Sequence, residues 1–451
     1  MAVDRKWVAA WLLAAAAILF YYRGVYWRPF EDTAEESTVS FHAYGFAAAS
    51  VAGLGSNPLV ARHVDIHTSE VKVYPHWPNG FFLALEGALR LFGRTEAVGR
   101  TVAILATLGG FALAAASLGQ RQGLVWAALP WILLSPDGRD SISFVFLDAA
   151  LCLGMGALMW ASGQPGRWVF RVLAGAALFF NQLVAPYAAV LVLLRWIEKR
   201  SRRELALDAA ALAAASGAVL LAIGAGSSSL DAGFAELERI YRFNLRPPAE
   251  PWLGLLARWW RESLNLGAAG GVLVAAAWLL TLGARQWRIV ILLPSFLLFA
   301  VLVPQYSTVH HFARLPFVFF SLVTLAGGLE LAIGRLARPG LPRHLPLAAR
   351  MLAGLAVAAR LAAAPPQYHT DPHIRSLRES LTRVTRSPAL AGCNAFSFRL
   401  PAGHHFPHEY HPQAKIGQFF FGRRVVERVQ RGAPVRSCVI DLVEEAARPG
   451  P

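Results

Sequence analysis

WVAAWLLAAAAILFYYRGVYWRPFEDTAEE, residues 7–36, decides how the rest of the chain is read. From Trp7 to Tyr22 it carries no charge, which predicts a helix entering hydrocarbon. Just beyond stand four carboxylates, Glu31, Asp32, Glu35 and Glu36. No small-x-small cleavage site precedes this acidic cluster, so the apolar run reads as a retained span and not as a removed leader. A second informative stretch, SEVKVYPHWPNGFF at residues 69–82, carries Glu70, Lys72, Tyr74, His76 and Trp77. Acid next to one helix and lysine at the entry to another are groups that one bilayer surface can bring together.

Composition extends this reading to the whole chain. Of 451 residues, 55% are hydrophobic and 16% charged, and the mean hydropathy is +0.43; soluble domains carry about 25% charged residues. The fold expected is an all-α polytopic membrane protein, because the apolar windows suit helices of roughly 20 residues and show no barrel-like alternation. The formal net charge of +15 does not indicate nucleic acid, since its arginines fall in short loops where topology accounts for them. Three cysteines are too few for a disulfide scaffold.

About eleven spans are expected, at residues 7–22, 78–92, 97–118, 142–160, 168–180, 184–197, 205–224, 264–283, 287–303, 312–334 and 346–364, with 124–134 re-entrant. The positive-inside rule places the N-terminus in the cytoplasm. The inner loops then hold the basic residues of RWIEKRSRR (195–203) and, among others, Arg94 and Arg100. Every acidic cluster and every histidine except His344 falls outside. Two regions follow: a transmembrane domain over 1–364, whose long first outer loop (23–78) carries interfacial helices, and a small α+β extramembrane tail over 365–451. The tail is expected to hold a helix near Ile374–Thr385 and strands at AFSFRL, GQFFFG and SCVIDLV. Trp252, Trp259 and Trp260 beside Arg258 and Arg261 predict an amphipathic interfacial helix.

Ionisable residues at membrane depth are costly and so are functional candidates. Asp137, Arg139 and Asp140 form a turn before Asp148, which opens an apolar run; as a structural acceptor or as a functional group, Asp148 faces the bundle interior on either reading. Asn181 and Gln182 mark a hairpin apex, where their amides either line a water-filled cavity or satisfy the backbone at the bend. His310, His311 and Arg314 enter a late span together, either as an anion clamp or with the arginine snorkelling. His404, His405, His408 and His411 lack a helical frame for a metal site. Cys393 and Cys438 are a candidate disulfide pair, and Cys152 is read as core packing.

In this order the motifs resemble the membrane-embedded C-type glycosyltransferases that use polyprenyl-phosphate sugars, such as protein O-mannosyltransferases and lipid A aminoarabinose transferases. The matching features are Glu31-Asp32 after the first span, Lys72, Tyr74, Pro75 and Pro78 before the second, Ser135, Arg139, Leu147 and Asp148 at the fourth, and His310, His311, Arg314 and Pro316 late in the chain. They cover roughly residues 1–335. Two departures are the acidic pair, reversed from the family's usual Asp-Glu, and Asn181-Gln182, which stands where many relatives carry lysine.

The resemblance implies inverting sugar transfer on the outer, periplasmic face of a bacterial inner membrane. Asp32 or Glu31 acts as base and Asp148 positions the acceptor or the acidic loop. Lys72, Arg139, His310, His311 and Arg314 serve the donor phosphate, with Glu70, Tyr74 and His76 beside them. The implied partners are a polyprenyl-phosphate sugar donor, membrane lipids and an acceptor that is lipid, glycan or protein. A divalent cation is an implied cofactor without assigned ligands, His63, His67 and His76 being candidates. Two rival readings are a transporter or flippase of lipid-linked sugars, which needs no carboxylate at a reaction centre, and a non-catalytic envelope-assembly protein, which would tolerate substitution in the acidic loop.

Overall fold

The structure, a computed structural model, describes residues 5–30, 34–55, 57–65, 70–74, 78–118, 121–135, 137–139, 145, 148–164, 166–199, 201–227, 229–246, 251–264, 267–302, 304, 314–336, 348, 359, 372–399, 412–441 and 446–449. In chain order these form α1 (Arg5–Tyr21), α2 (Arg23–Tyr26), α3 (Ala34–Ala49), β1 (Ala61–Val64), β2 (Val71–Tyr74), α4 (Gly80–Phe92), α5 (Glu96–Leu118) and α6 (Arg121–Leu134). There follow α7 (Asp148–Ser162), α8 (Arg167–Phe180), α9 (Ala185–Lys199), α10 (Arg202–Gly226), α11 (Leu230–Asn244), α12 (Trp252–Leu264) and α13 (Gly267–Gly283). The described chain ends with α14 (Trp287–Val290), α15 (Leu292–Leu302), α16 (Leu315–Leu336), α17 (Pro372–Val384), β3 (Ala395–Arg399), α18 (Pro412–Arg431), β4 (Ser437–Asp441) and β5 (Ala446–Pro449).

The expected helical membrane architecture is present. Three helices, Glu96–Leu118, Arg202–Gly226 and Leu315–Arg335, are each long and apolar enough to cross a bilayer, and shorter apolar helices accompany them. Their tightest crossing is α5 on α7. A Cβ at Gly156 would stand 2.0 Å from the carbonyl oxygen of Gly110, and one at Gly110 would stand 2.3 Å from that of Cys152. Glycine lets these backbones touch, as small residues do where helices associate without a hydrophobic drive. Cys152 is fully buried there, in the packing role expected of it.

Two groups of contacts define the ends of the bundle. At the first, the Tyr22 hydroxyl donates to Ile132 O at 2.7 Å, and Arg100 donates to Tyr26 O at 3.1 Å. At the second, Arg288 donates to Ser117 O at 3.4 Å and lies 3.5 Å from Glu198. Hence α5 leaves the first end and α6 returns to it.

This corrects two expectations. The segment 78–92 is not a span. As α4 it stays at the first end, burying Phe81, Phe82, Leu85 and Leu89 in a core shared with α3 and the C-terminal elements. The segment 124–134 is in turn no re-entrant loop but most of α6, a return helix despite Pro130. Arg94 and Arg100 therefore stand at the acidic end, opposite to where the charge rule placed them.

At the second end a buried ion network ties α8, α9 and α10. Asp208 accepts from Arg171 and Arg195, both at 2.8 Å, and Arg171 also reaches Glu204 at 2.8 Å. Asn181 does what the apex reading expected: its Oδ1 accepts from Leu183 N–H at 2.9 Å, capping the turn into α9. α12 is the expected amphipathic helix, but Trp259 is buried against Phe296, ring centroids 5.8 Å apart, so one face belongs to the bundle core.

The C-terminal elements make a three-stranded sheet, β3 parallel to β4 and β4 antiparallel to β5. Cys393 and Cys438 are joined as a disulfide, Cα atoms 5.9 Å apart. The helix and two of the three strands expected here are present; GQFFFG is not a strand but lies within α18. Its two glycines suggested turns, yet Phe421 and Val425 recur one helical turn apart and are both buried, with Phe421 stacked on Phe396 at 4.4 Å.

Candidate active site

The described residues on either side of positions 31–33 are held within the bundle. Before these positions, Arg100, almost fully buried, donates to the carbonyls of Tyr26, Arg28 and Pro29. One turn earlier on the same face of α5, Glu96 accepts the backbone N–H of Phe30. After them, α3 buries Ser40, Phe41, Tyr44 and Phe46. Glu31 and Asp32 themselves lie outside the described residues.

α3 meets two of the stretches that carry candidate groups. Its Ser40 Oγ accepts the N–H of Val145 at 3.1 Å, which brings the stretch leading to Asp148 against the acidic helix. Asp148 is the first residue of α7. Farther along α3, the Phe46 ring stacks on Tyr74 at 4.8 Å and meets His63 edge-on at 5.1 Å. These contacts dock the β1–β2 hairpin, in whose register His63 is opposite Lys72.

Lys72 is half exposed on that hairpin and ion-pairs with Asp65, while Glu70 is exposed beside it. The ammonium thus has a tether within its own hairpin and a face open to solvent. Burial pushes the His63 imidazole down to about 4, with Asp65 pulling it up and Lys72 adding to the fall, so this ring is neutral near pH 7. Its Nδ1 is buried and finds no hydrogen-bond partner among the described residues.

Arg139 and Arg314 belong to the same end. Arg139 closes the turn after α6, its N–H donating to Ser135 O at 3.0 Å. Arg314 is buried immediately before α16, which packs on α6. His76, His310 and His311 lie outside the described residues, as do His67 and the 404–411 histidines. Among the described residues no three His, Cys, Asp or Glu side chains converge as a metal site.

Three residues that shape this end escaped the sequence reading. Glu96 and Arg100 carry a local signal: Thr95 Oγ1 accepts Val98 N–H at 3.3 Å, starting a helix in which residues four apart share a face. Arg378, which ion-pairs with Glu96, carries none, since its partner is 282 positions away.

The fold is that of solved membrane transferases. It aligns with the crystal structure of ArnT from Cupriavidus metallidurans bound to undecaprenyl phosphate, at TM-score 0.52 and 12% identity, covering 97% of this chain and 93% of that one. The apo form of the same protein aligns at 0.51 and 13% over 96% and 93%. The archaeal oligosaccharyltransferase AglB from Archaeoglobus fulgidus, in complex with an inhibitory peptide and a dolichol-phosphate, aligns at 0.54 and 11% over 85% of this chain and 58% of that one. Both are C-type glycosyltransferases, the family that the motif order resembles. No protein-family model matches the sequence, and no curated protein matches it.

Proposed function

We propose that this protein is a membrane-embedded glycosyltransferase that moves a sugar from a polyprenyl-phosphate donor to a hydroxyl acceptor, with inversion, on the outer face of a bacterial inner membrane. The observation that carries the reading is the structural match over 97% of the chain to a fold solved with undecaprenyl phosphate. The packing of Val145, three residues before Asp148, and of the Lys72 hairpin on α3 supports it. The Cys393–Cys438 disulfide accords with a tail in an oxidising compartment.

In this mechanism Asp32 or Glu31 takes the proton of the acceptor hydroxyl. The oxygen attacks the anomeric carbon as the bond from that carbon to the phosphate oxygen breaks, and the electron pair leaves with the lipid phosphate. General-base catalysis of this kind contributes about 10²–10⁴-fold. Lys72 and Arg314 stabilise the charge that grows on the departing phosphate, where fixed cations act most strongly. Arg139, His310 and His311 are assigned to binding the donor, and Asp148 to orienting the acceptor or the acidic segment. The reading is tested by supplying radiolabelled polyprenyl-phosphate sugars to membranes with and without the protein. Label passing to an acceptor supports transfer; label that only changes leaflet identifies a flippase instead.

A further inference from the structure

The C-terminal tail packs on the acidic end, and one of its side chains carries a charge into that contact. Arg378, on α17, ion-pairs with Oε1 of Glu96, while Oε2 of the same carboxylate accepts the backbone N–H of Phe30. The guanidinium is enclosed by three rings, with its carbon 5.7 Å from the centroid of Phe41, 5.3 Å from Phe419 and 5.8 Å from Phe420. Only 15% of its side chain and 13% of that of Glu96 are exposed. Two of the rings belong to α18 and one to α3, so the arginine is held by the tail and by the acidic helix at once. A surface ion pair is worth little, but this one is screened from water and aimed at a carboxylate whose other oxygen already has a task.

We propose that Arg378 is a positioning residue for sugar transfer: by fixing Glu96 it fixes the backbone at Phe30, and with it the acidic pair that follows. The inference rests on the assignment of Glu31 and Asp32 to the reaction. It makes the tail part of the catalytic machinery and not an appendage to it. Without the guanidinium, Glu96 loses its charged partner and turns toward water, releasing the Phe30 amide. A base displaced by about 1 Å loses up to about 10²-fold in rate while the donor site is untouched.

Two measurements test this in the full-length protein. In transfer assays Arg378→Met, which keeps a stem among the rings, lowers kcat about 10- to 100-fold and leaves KM for the donor unchanged, and Glu96→Gln does the same. The double variant is no worse than either single one, because the two residues act as one unit. Independently of activity, Thr33→Cys is labelled with a membrane-impermeant maleimide; the native cysteines are disulfide-bonded or buried. Labelling is expected to quicken several-fold when Arg378→Met or Glu96→Gln is added. Faster labelling in a protein without transfer activity upholds the positioning and refutes the transferase reading. Unchanged labelling overturns the positioning, as does an equal fall in kcat/KM through KM alone.

Discussion

Val145 donates its backbone N–H to the Ser40 hydroxyl at 3.1 Å across 105 residues of sequence, and both are buried. This bond couples the helix after the acidic pair to the stretch before Asp148. Ser40→Ala leaves a buried N–H without its acceptor, at a cost of about 1–3 kcal/mol. We expect a lower unfolding midpoint in detergent and a fall in transfer rate, with Ser40→Thr closer to wild type. An Ala variant equal to wild type in both measurements contradicts the coupling.

The network at the opposite end is expected to matter for stability alone. Asp208 is the shared acceptor of Arg171 and Arg195, and Arg195 is almost fully buried. Asp208→Ala strands that buried charge, which costs about 3–5 kcal/mol. Thermal unfolding of the purified protein should show a large drop, while protein that remains folded transfers sugar with the wild-type KM.

His63 gives the first loop a dependence on pH. Burial holds its pKa at about 4 in the folded protein against the ordinary 6.5. The unfolded chain therefore binds a proton that the folded chain refuses as pH falls between these values. Stability is fully present above about 6.5 and is lost as pH falls toward 4, by on the order of 3 kcal/mol at most. Unfolding midpoints compared at pH 7.5 and 5 should differ less in His63→Gln than in wild type.

The disulfide closes a separation of 45 residues, and a loop of that size is worth roughly 4 kcal/mol in the chain-entropy account. We expect Cys393→Ser with Cys438→Ser to make the tail far more sensitive to protease. Since the tail holds Glu96 through Arg378, transfer activity should fall along with it.

Most helices were legible because their residues are apolar over a length that only a membrane explains. The exchange of α4 for α6 shows where composition misleads. Phe81, Phe82, Leu85 and Leu89 are apolar because they cover α3, not because they face lipid, and no local signal separates the two causes. α6, conversely, reads as re-entrant because its apolar run is short; it is a helix that also absorbs Pro130, as a membrane helix can when its neighbours satisfy the freed backbone. The strand reading of GQFFFG failed for a similar reason: the partner that makes it a helix is α3, several hundred residues earlier. Lys72 and Tyr74 were found from their neighbours in sequence. Glu96 and Arg100 carry a local helix-start signal, but their partners are distant backbone groups; Arg378, whose partner is 282 positions away, became visible only in three dimensions.

The most direct test is sugar transfer from polyprenyl-phosphate donors in membranes carrying the wild type, Asp32→Asn, Glu31→Gln or Lys72→Ala at matched expression. We expect activity in the wild type, a loss of about 10²–10⁴-fold in one of the two carboxylate variants, which identifies the base, and a loss of about 10²–10³-fold in Lys72→Ala. Transfer unchanged in all three variants, or absent from the wild type with every donor, contradicts the account.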